Sequence, residues 1–294
     1  MGVVGALLAL GSALCFSLMV LAIRRAGDRV GSYAGLLVML VTEIILSGGI
    51  IGLGGRMSTP NWVGVAIFLG VGVLTGSFAN ILIFYCIKTA GAPRASAAKV
   101  GALVVGMALA MLIFGERPGP LALVGSFLVL AGLWVVARPD GGTTRSDEQG
   151  NRVLWGLLAG VVGGLAFAVG NLLRKTAMGY WAEPAGGATL EAVAGLVVIL
   201  LLPRTYRELR ELPRWRDALP LAGAGVAGIA GVMLFLAALG RIPVSIANLL
   251  SGVEPVITLL LTALFLPGAG RLGRALTLGV VVATAGILMV VAGT

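Results

Sequence analysis

The sequence predicts an all-α integral membrane protein, with ten transmembrane helices arranged as two inverted five-helix repeats. Three observations carry that reading. The first is composition: of 294 residues, 59% are hydrophobic and 11% charged, and the mean hydropathy is +1.05. A soluble domain carries roughly 25% charged residues, so this chain lacks the polar surface to face water all round. The second is recurrence. At an offset of 150, Pro93, Ala97 and Leu109 fall on Pro243, Ala247 and Leu259. At 151, Gly5, Leu7, Leu14 and Phe16 fall on Gly156, Leu158, Leu165 and Phe167. At 154, Gly125, Ala131 and Gly132 fall on Gly279, Ala285 and Gly286. The third is parity. A unit of five spans leaves the membrane on the side opposite its entry, so a second copy must start inverted. The halves are then related by a two-fold axis in the membrane plane, as in secondary transporters.

A helix needs about 20 apolar residues to cross the hydrocarbon. The first span is expected over 3–23, ended by Arg24 and Arg25, the second over 33–53, and the third over 62–87. The third carries Thr75, Ser77 and Asn80, which is polar for a lipid-facing helix. Pro93 opens the fourth, where its missing N–H costs nothing, and Gly115-Glu116-Arg117-Pro118 closes it. The fifth covers 121–137 and completes a first repeat over 1–137. Residues 138–152 run from Pro139-Asp140-Gly141-Gly142 into charge and read as a flexible linker. The second repeat, 153–294, places spans at 153–173 (ended by Arg174 and Lys175), 185–202 and 218–239. Its ninth span is opened by Pro243, and its tenth covers 275–292. Between the seventh and eighth, 203–217 is an exposed, strongly basic connection.

Several function classes are excluded or disfavoured. The net charge of +9 sits between apolar segments rather than on one face, so it points to membrane surface and not to nucleic acid. Histidine is absent, which removes the commonest metal ligand and general base; no metal or cofactor is expected. Cys15 and Cys86 lie in or beside apolar segments and suggest no disulfide framework. The amino terminus lacks a positive region and cleavage site, so it is read as a first span. No Gly-x-x-x-x-Gly-Lys-Ser/Thr loop is present, so any transport would draw on gradients. An intramembrane enzyme is disfavoured because neither His-Glu-x-x-His nor Gly-x-Ser-x-Gly occurs.

The stretch 85–134 resembles the carboxy-terminal part of an EamA-type repeat of the drug/metabolite transporter superfamily. The likeness rests on Gly91-Ala92-Pro93, a small-residue fourth helix, Gly115-Glu116-Arg117, and Leu123-Val124-Gly125 leading to Ala131-Gly132. The second half keeps Val253-Glu254-Pro255, like the Glu-Pro pair often seen in the ninth helix of that family. It departs at Leu266-Pro267-Gly268, where a Gly-Glu pair is usual. The resemblance implies a ten-helix metabolite transporter of the cell membrane, with helices one, three, four, six, eight and nine around a cavity and five and ten peripheral. It does not imply a substrate.

Charges facing lipid cost about 2.5–3.5 kcal/mol at mid-helix, so Glu43, Lys99 and Glu254 must face protein or water. Glu43 reads first as a hydrogen-bonding partner for a neighbouring helix. Lys99 either snorkels, six residues after Pro93, or binds substrate. Glu254 either clamps helices at a Pro255 kink or faces the cavity. At 1.5 Å per residue, Lys99 lies about 9 Å into its helix and Glu254 about 16 Å into the ninth. In a layer about 30 Å thick, inversion leaves the two within about 5 Å in depth. Together they would divide a zwitterion, Lys99 taking a carboxylate and Glu254 an amine. Asn80, Asn171 and Asn248 are candidates on helices that the resemblance places at the cavity, with helix joining as the alternative. Ser17, Ser77 and Ser96 are weaker, since serine bonds its own helix backbone. Tyr85 and Arg241 read as interfacial. Gly125, Gly132, Gly279 and Gly286, seven apart within each pair, read as helix-packing surfaces.

The leading expectation is a secondary transporter, in the exporting direction, of a small polar metabolite such as an amino acid. A flippase of a lipid-linked substrate is the alternative. The first needs a closed polar pocket and the second a groove open sideways to lipid. The partners are a small-molecule substrate and membrane lipid, with a homodimer allowed. Basic residues gather in the odd-numbered connections; 203–217 alone holds Arg204, Arg207, Arg210, Arg214 and Arg216. The positive-inside rule then puts both termini outside, whereas the resemblance favours both inside. A reporter active only in the cytoplasm, fused after Thr294, is expected to be silent; a strong signal there reverses the orientation.

Overall fold

Apolar runs punctuated by Gly, Pro and basic residues become helices along the whole chain. The structure, a computed structural model, describes residues 2–26, 30–54, 58–115, 119–137, 147–211, 215–265 and 274–292. Among them all regular structure is helical: α1 (Gly2–Ala26), α2 (Ser32–Gly54), α3 (Trp62–Val71), a π-helical stretch (Gly72–Ala79), α4 (Asn80–Ala90), α5 (Ala92–Phe114) and α6 (Pro120–Ala137). The second half contributes α7 (Asp147–Tyr180), α8 (Pro184–Leu201), α9 (Pro203–Arg210), α10 (Trp215–Leu239), α11 (Val244–Ser251), α12 (Glu254–Phe265) and α13 (Arg274–Ala292). Six helical runs are long and apolar enough to cross a membrane, and shorter apolar helices accompany them. The protein is an all-α, multi-pass membrane protein.

The local chemistry accounts for the breaks. Gly91, at φ 91°, turns α4 into α5, and Gly115, at φ 66°, ends α5 in the left-handed region, which only glycine enters at no steric cost. In the third span, Thr75 and Ser77 donate to the carbonyls of Val71 and Val73 four residues back, while Gly72 and Gly76 give the backbone freedom. The turns widen there into the π stretch.

Four expectations about the elements change. Helix α7 continues six residues past Arg174, so Arg174 and Lys175 do not end a span; length alone suggested a stop there because 153–173 already suffices to cross. The chain is also already helical from Asp147, inside the stretch expected as linker. The basic connection 203–217 contains a helix, α9, whose Glu208 accepts hydrogen bonds from the backbone N–H groups of Tyr33 and Ala34 at 2.7 and 3.0 Å. The ninth span is broken: α11 stops at Ser251 and α12 starts at Glu254, with Pro255 in its first turn. Residues 116–118 and 266–273, which carried the end of the fourth span and the departure from the family pattern, lie outside the described residues, as does 138–146 of the linker.

Packing follows a two-fold plan. Helix α1 lies along α10, and α7 correspondingly lies along α3 and α4; α2 packs on α8, α5 on α12, and α6 on α13. The pair α6–α13 is the most extensive, touches little else, and buries Gly125, Gly132, Gly279 and Gly286. A close helix approach lies where the π stretch meets α8. A Cβ on Gly72 would run into the carbonyl of Glu191, and a Cβ on Gly195 would sit 3.0–3.2 Å from the backbone of Gly76. Gly72→Ala is therefore expected to cost about 1–3 kcal/mol as an overpacking change. Gly70→Ala, which meets nothing within 4 Å, is expected to be neutral or stabilising by about 0.5–1 kcal/mol. Thermal unfolding of the two variants in detergent separates them.

Candidate functional site

Helices α1, α2, α5, α7, α8 and α10, the π stretch and the start of α4 line a cavity of about 40 Å³. Its wall includes Glu43, Asn80, Lys99, Arg174 and Glu191, together with Phe16, Thr75 and Phe167. For a site inside hydrocarbon this is a dense collection of charge, and most of it is paired.

The first pair is Lys99–Glu254. Lys99 Nζ donates to Glu254 Oε2 at 2.7 Å, with the residues 7% and 1% exposed. Ser96 reaches Glu254 Oε1 at 3.4 Å and Thr258 Oγ1 at 3.3 Å. Ser17 Oγ donates to the Glu254 backbone carbonyl at 3.0 Å. Lys99 Nζ also lies 4.5 Å from the ring centroid of Phe16 and 5.2 Å from that of Phe167, which are cation–π distances. Lys99 thus points inward and does not snorkel. Glu254 sits at the break between α11 and α12, in the first turn of α12, where the helix dipole favours a carboxylate.

The second pair went unread in the sequence. Arg174 Nε donates to both carboxylate oxygens of Glu191 at 3.0 and 3.1 Å, and Nη2 donates to Oε2 at 2.6 Å. Nη1 donates to Asn171 Oδ1 at 2.8 Å and Nη2 to Thr75 Oγ1 at 3.1 Å. Both residues are 4% exposed. Arg174 was assigned to the end of a span, and Glu191, in the middle of the apolar stretch 185–202, was passed over. Glu191 was the available signal, because a carboxylate at that depth requires a cation.

The other candidates are distributed around these pairs. Asn80 lines the cavity and donates to the carbonyl of Gly76 at 3.4 Å. Asn171 Nδ2 donates to Asn248 Oδ1 at 2.8 Å, joining α7 to α11. Asn248 Nδ2 and, one turn later, Ser251 Oγ are buried without a hydrogen-bond partner among the described residues. Glu43 lines the cavity, with one carboxylate oxygen against Gly228. Among the described residues it has neither an ion-pair partner nor a hydrogen bond. Ser77 bonds its own helix. Tyr85 and Arg241 are exposed, the latter donating to the Ala237 carbonyl at 2.8 Å. Cys15 and Cys86 are free thiols, and no cluster of metal-ligating side chains occurs among the described residues.

Comparison with known proteins addresses the family. A solved crystal structure, described only as that of a protein, superposes with a TM-score of 0.69 at 20% sequence identity, covering 97% of this chain and 95% of the other. That likeness is one of fold. No curated protein matches the sequence. The family model of the EamA-like transporter family matches twice, over residues 3–138 and 154–292. Together the two matches span nearly the whole chain, and the protein therefore belongs to the EamA-like transporter family.

Proposed function

We propose that this transporter carries a small zwitterionic metabolite, such as an amino acid, by alternating access across the cell (inner) membrane in the exporting direction. The proposal includes ten spans, two inverted five-helix repeats over 1–137 and 153–294, and Lys99, Glu254, Asn80, Asn171 and Asn248 as substrate contacts. The observation that carries it is the Lys99–Glu254 pair, because it ties α5 of the first half to α12 of the second at the cavity wall.

Size and charge supply the mechanism. A buried water needs about 10–15 Å³ of such space, so 40 Å³ holds about three waters and no metabolite. Substrate entry then requires the halves to part and the pair to open. Leaving one partner of a buried pair unsatisfied costs about 3–5 kcal/mol. A ligand with a single charge incurs that cost, whereas a zwitterion satisfies both ends, its carboxylate on Lys99 and its ammonium on Glu254. Arg174 is the other cation on the cavity wall that could bind the carboxylate, but it is already held by five hydrogen bonds. Glu43 gives the cavity one carboxyl group beyond its paired charges, whose oxygen can accept a hydrogen bond from the ammonium.

The inverted arrangement is supported by the two-fold plan of helix contacts and by Phe16 and Phe167. These residues correspond at an offset of 151 and flank Lys99 from opposite halves. Against the flippase reading stands the placement of polar groups. They line the central cavity, and no residue of its wall belongs to the more open, largely apolar groove between α1 and α10.

A thermal-shift screen of zwitterionic, cationic and anionic metabolites against the detergent-purified protein is expected to select zwitterions. Counterflow in liposomes with the selected compound then tests the pair. Lys99→Met with Glu254→Gln removes both charges together and is expected to keep the fold while lowering transport more than ten-fold. Either single change is expected to destabilise by about 3–5 kcal/mol. Normal transport by the double variant removes the pair from the mechanism.

Arg174→Lys keeps the charge but not the planar fork. It is expected to lower stability by about 2–3 kcal/mol, through lost charge-assisted bonds to Glu191, Asn171 and Thr75, which thermal unfolding measures.

A further inference from the structure

A second, larger concavity lies on the outside of the bundle, in the seam between α1 and α10. Its volume is about 780 Å³, within the roughly 300–1,000 Å³ of ordinary ligand sites. The walls are apolar, from Leu18, Leu21, Leu219, Pro220 and Val226, and the two basic groups are Arg25 and Arg216. Leu18, Leu219 and Val226 are exposed, so the groove opens toward the surrounding bilayer and not into the central cavity.

The two arginines mark one end. Helices α1 and α10 run antiparallel: Gly5 lies against Ile242, Ser12 bonds the Gly231 carbonyl, and Met19 lies beside Gly228. Continuing that register brings Arg25, at the end of α1, level with residues 218–222 of α10, and Arg216 follows about one turn further toward the same end. The short helix α9, with Arg204, Arg207 and Arg210 exposed, precedes α10 on that same face. Gly223 lies on the floor of the groove, where a Cβ would meet nothing within 4 Å.

We propose that this groove is a binding site for an anionic phospholipid, its phosphate held by Arg25 and Arg216 and one acyl chain laid along the apolar floor past Gly223. The chemistry matches in both parts. A long apolar trough facing hydrocarbon takes an acyl chain, and cations at one end take a headgroup phosphate, as basic sites between transmembrane helices do. The exposed arginines of α9 raise the local concentration of anionic lipid at that face. A soluble anion has no use for the apolar length, and a zwitterionic lipid gains less from the arginines. The site is independent of the substrate reading above, since it requires only that the chain lie in a bilayer. A lipid seated there touches one helix from each half.

Cys15 lies in the groove, whereas Cys86 is fully buried, so alkylation of Cys15 reports occupancy. In neutral detergent, dioleoyl phosphatidylglycerol is expected to slow maleimide labelling of Cys15 at least five-fold. It should do so at a concentration at least ten-fold lower than dioleoyl phosphatidylcholine needs. Arg25→Gln with Arg216→Gln, two changes at the protein surface, is expected to erase the difference between the lipids. Gly223→Phe, which puts a ring into the trough from a position where a Cβ meets nothing within 4 Å, is expected to abolish protection by both. Equal protection by the two lipids in the unchanged protein overturns the proposal. So does a headgroup preference that survives the double arginine change, or protection by inorganic phosphate alone.

Discussion

A charge placed in hydrocarbon must find an opposite charge, and much of this structure follows from meeting that demand twice. Lys99 and Glu254 meet across the two halves, and Arg174 and Glu191 meet within the second. The second pair sets a strict packing condition. For Arg174 to reach Glu191 and Thr75 together, α7, α8 and the π stretch must converge, and the backbones of the last two must nearly touch. Gly72, Gly76 and Gly195 make that approach possible. In lipid, where apolar contact gives no preference for protein over acyl chains, close backbone packing and buried polar bonds are what hold helices together.

The irregular backbone gathers at the same depth as these charges. The third span widens into a π stretch beside Arg174, and the ninth breaks at Glu254. Inside a membrane such departures are tolerated only where protein or a cavity satisfies the released groups. Here the irregular segments carry side chains of the two pairs: the Thr75 hydroxyl accepts from Arg174, and Glu254 stands in the first turn of α12. A half-helix terminus aimed at a midplane site is the arrangement by which transporters bind charged solutes.

The repeat gives the scaffold its symmetry, and single substitutions remove that symmetry from the site. Phe16 and Phe167 are retained in both halves and flank Lys99. Lys99 itself corresponds to Leu249 at the offset of 150, and Pro93 opens an unbroken α5 while Pro243 precedes a broken helix. A cation therefore projects from one half of the chain and its carboxylate from the other.

The sequence by itself determined the class, the family likeness, the positions of most spans and the meeting of Lys99 with Glu254. Hydropathy, repeat offset and helical rise are all local quantities that sequence order carries directly. The Lys99–Glu254 contact was anticipated from a depth counted along the helices after Pro93 and Pro243, although the structure breaks the second of these just before Glu254. Only the tertiary structure decided that α7 continues beyond Arg174, that Arg174 and Glu191 pair, that the third and ninth spans are irregular, and that Glu43 faces the cavity. Each depends on what lies across a helix interface. A chain length that already suffices to cross the membrane cannot reveal whether the next arginine meets a headgroup or a buried carboxylate, because the partner that decides it belongs to another helix.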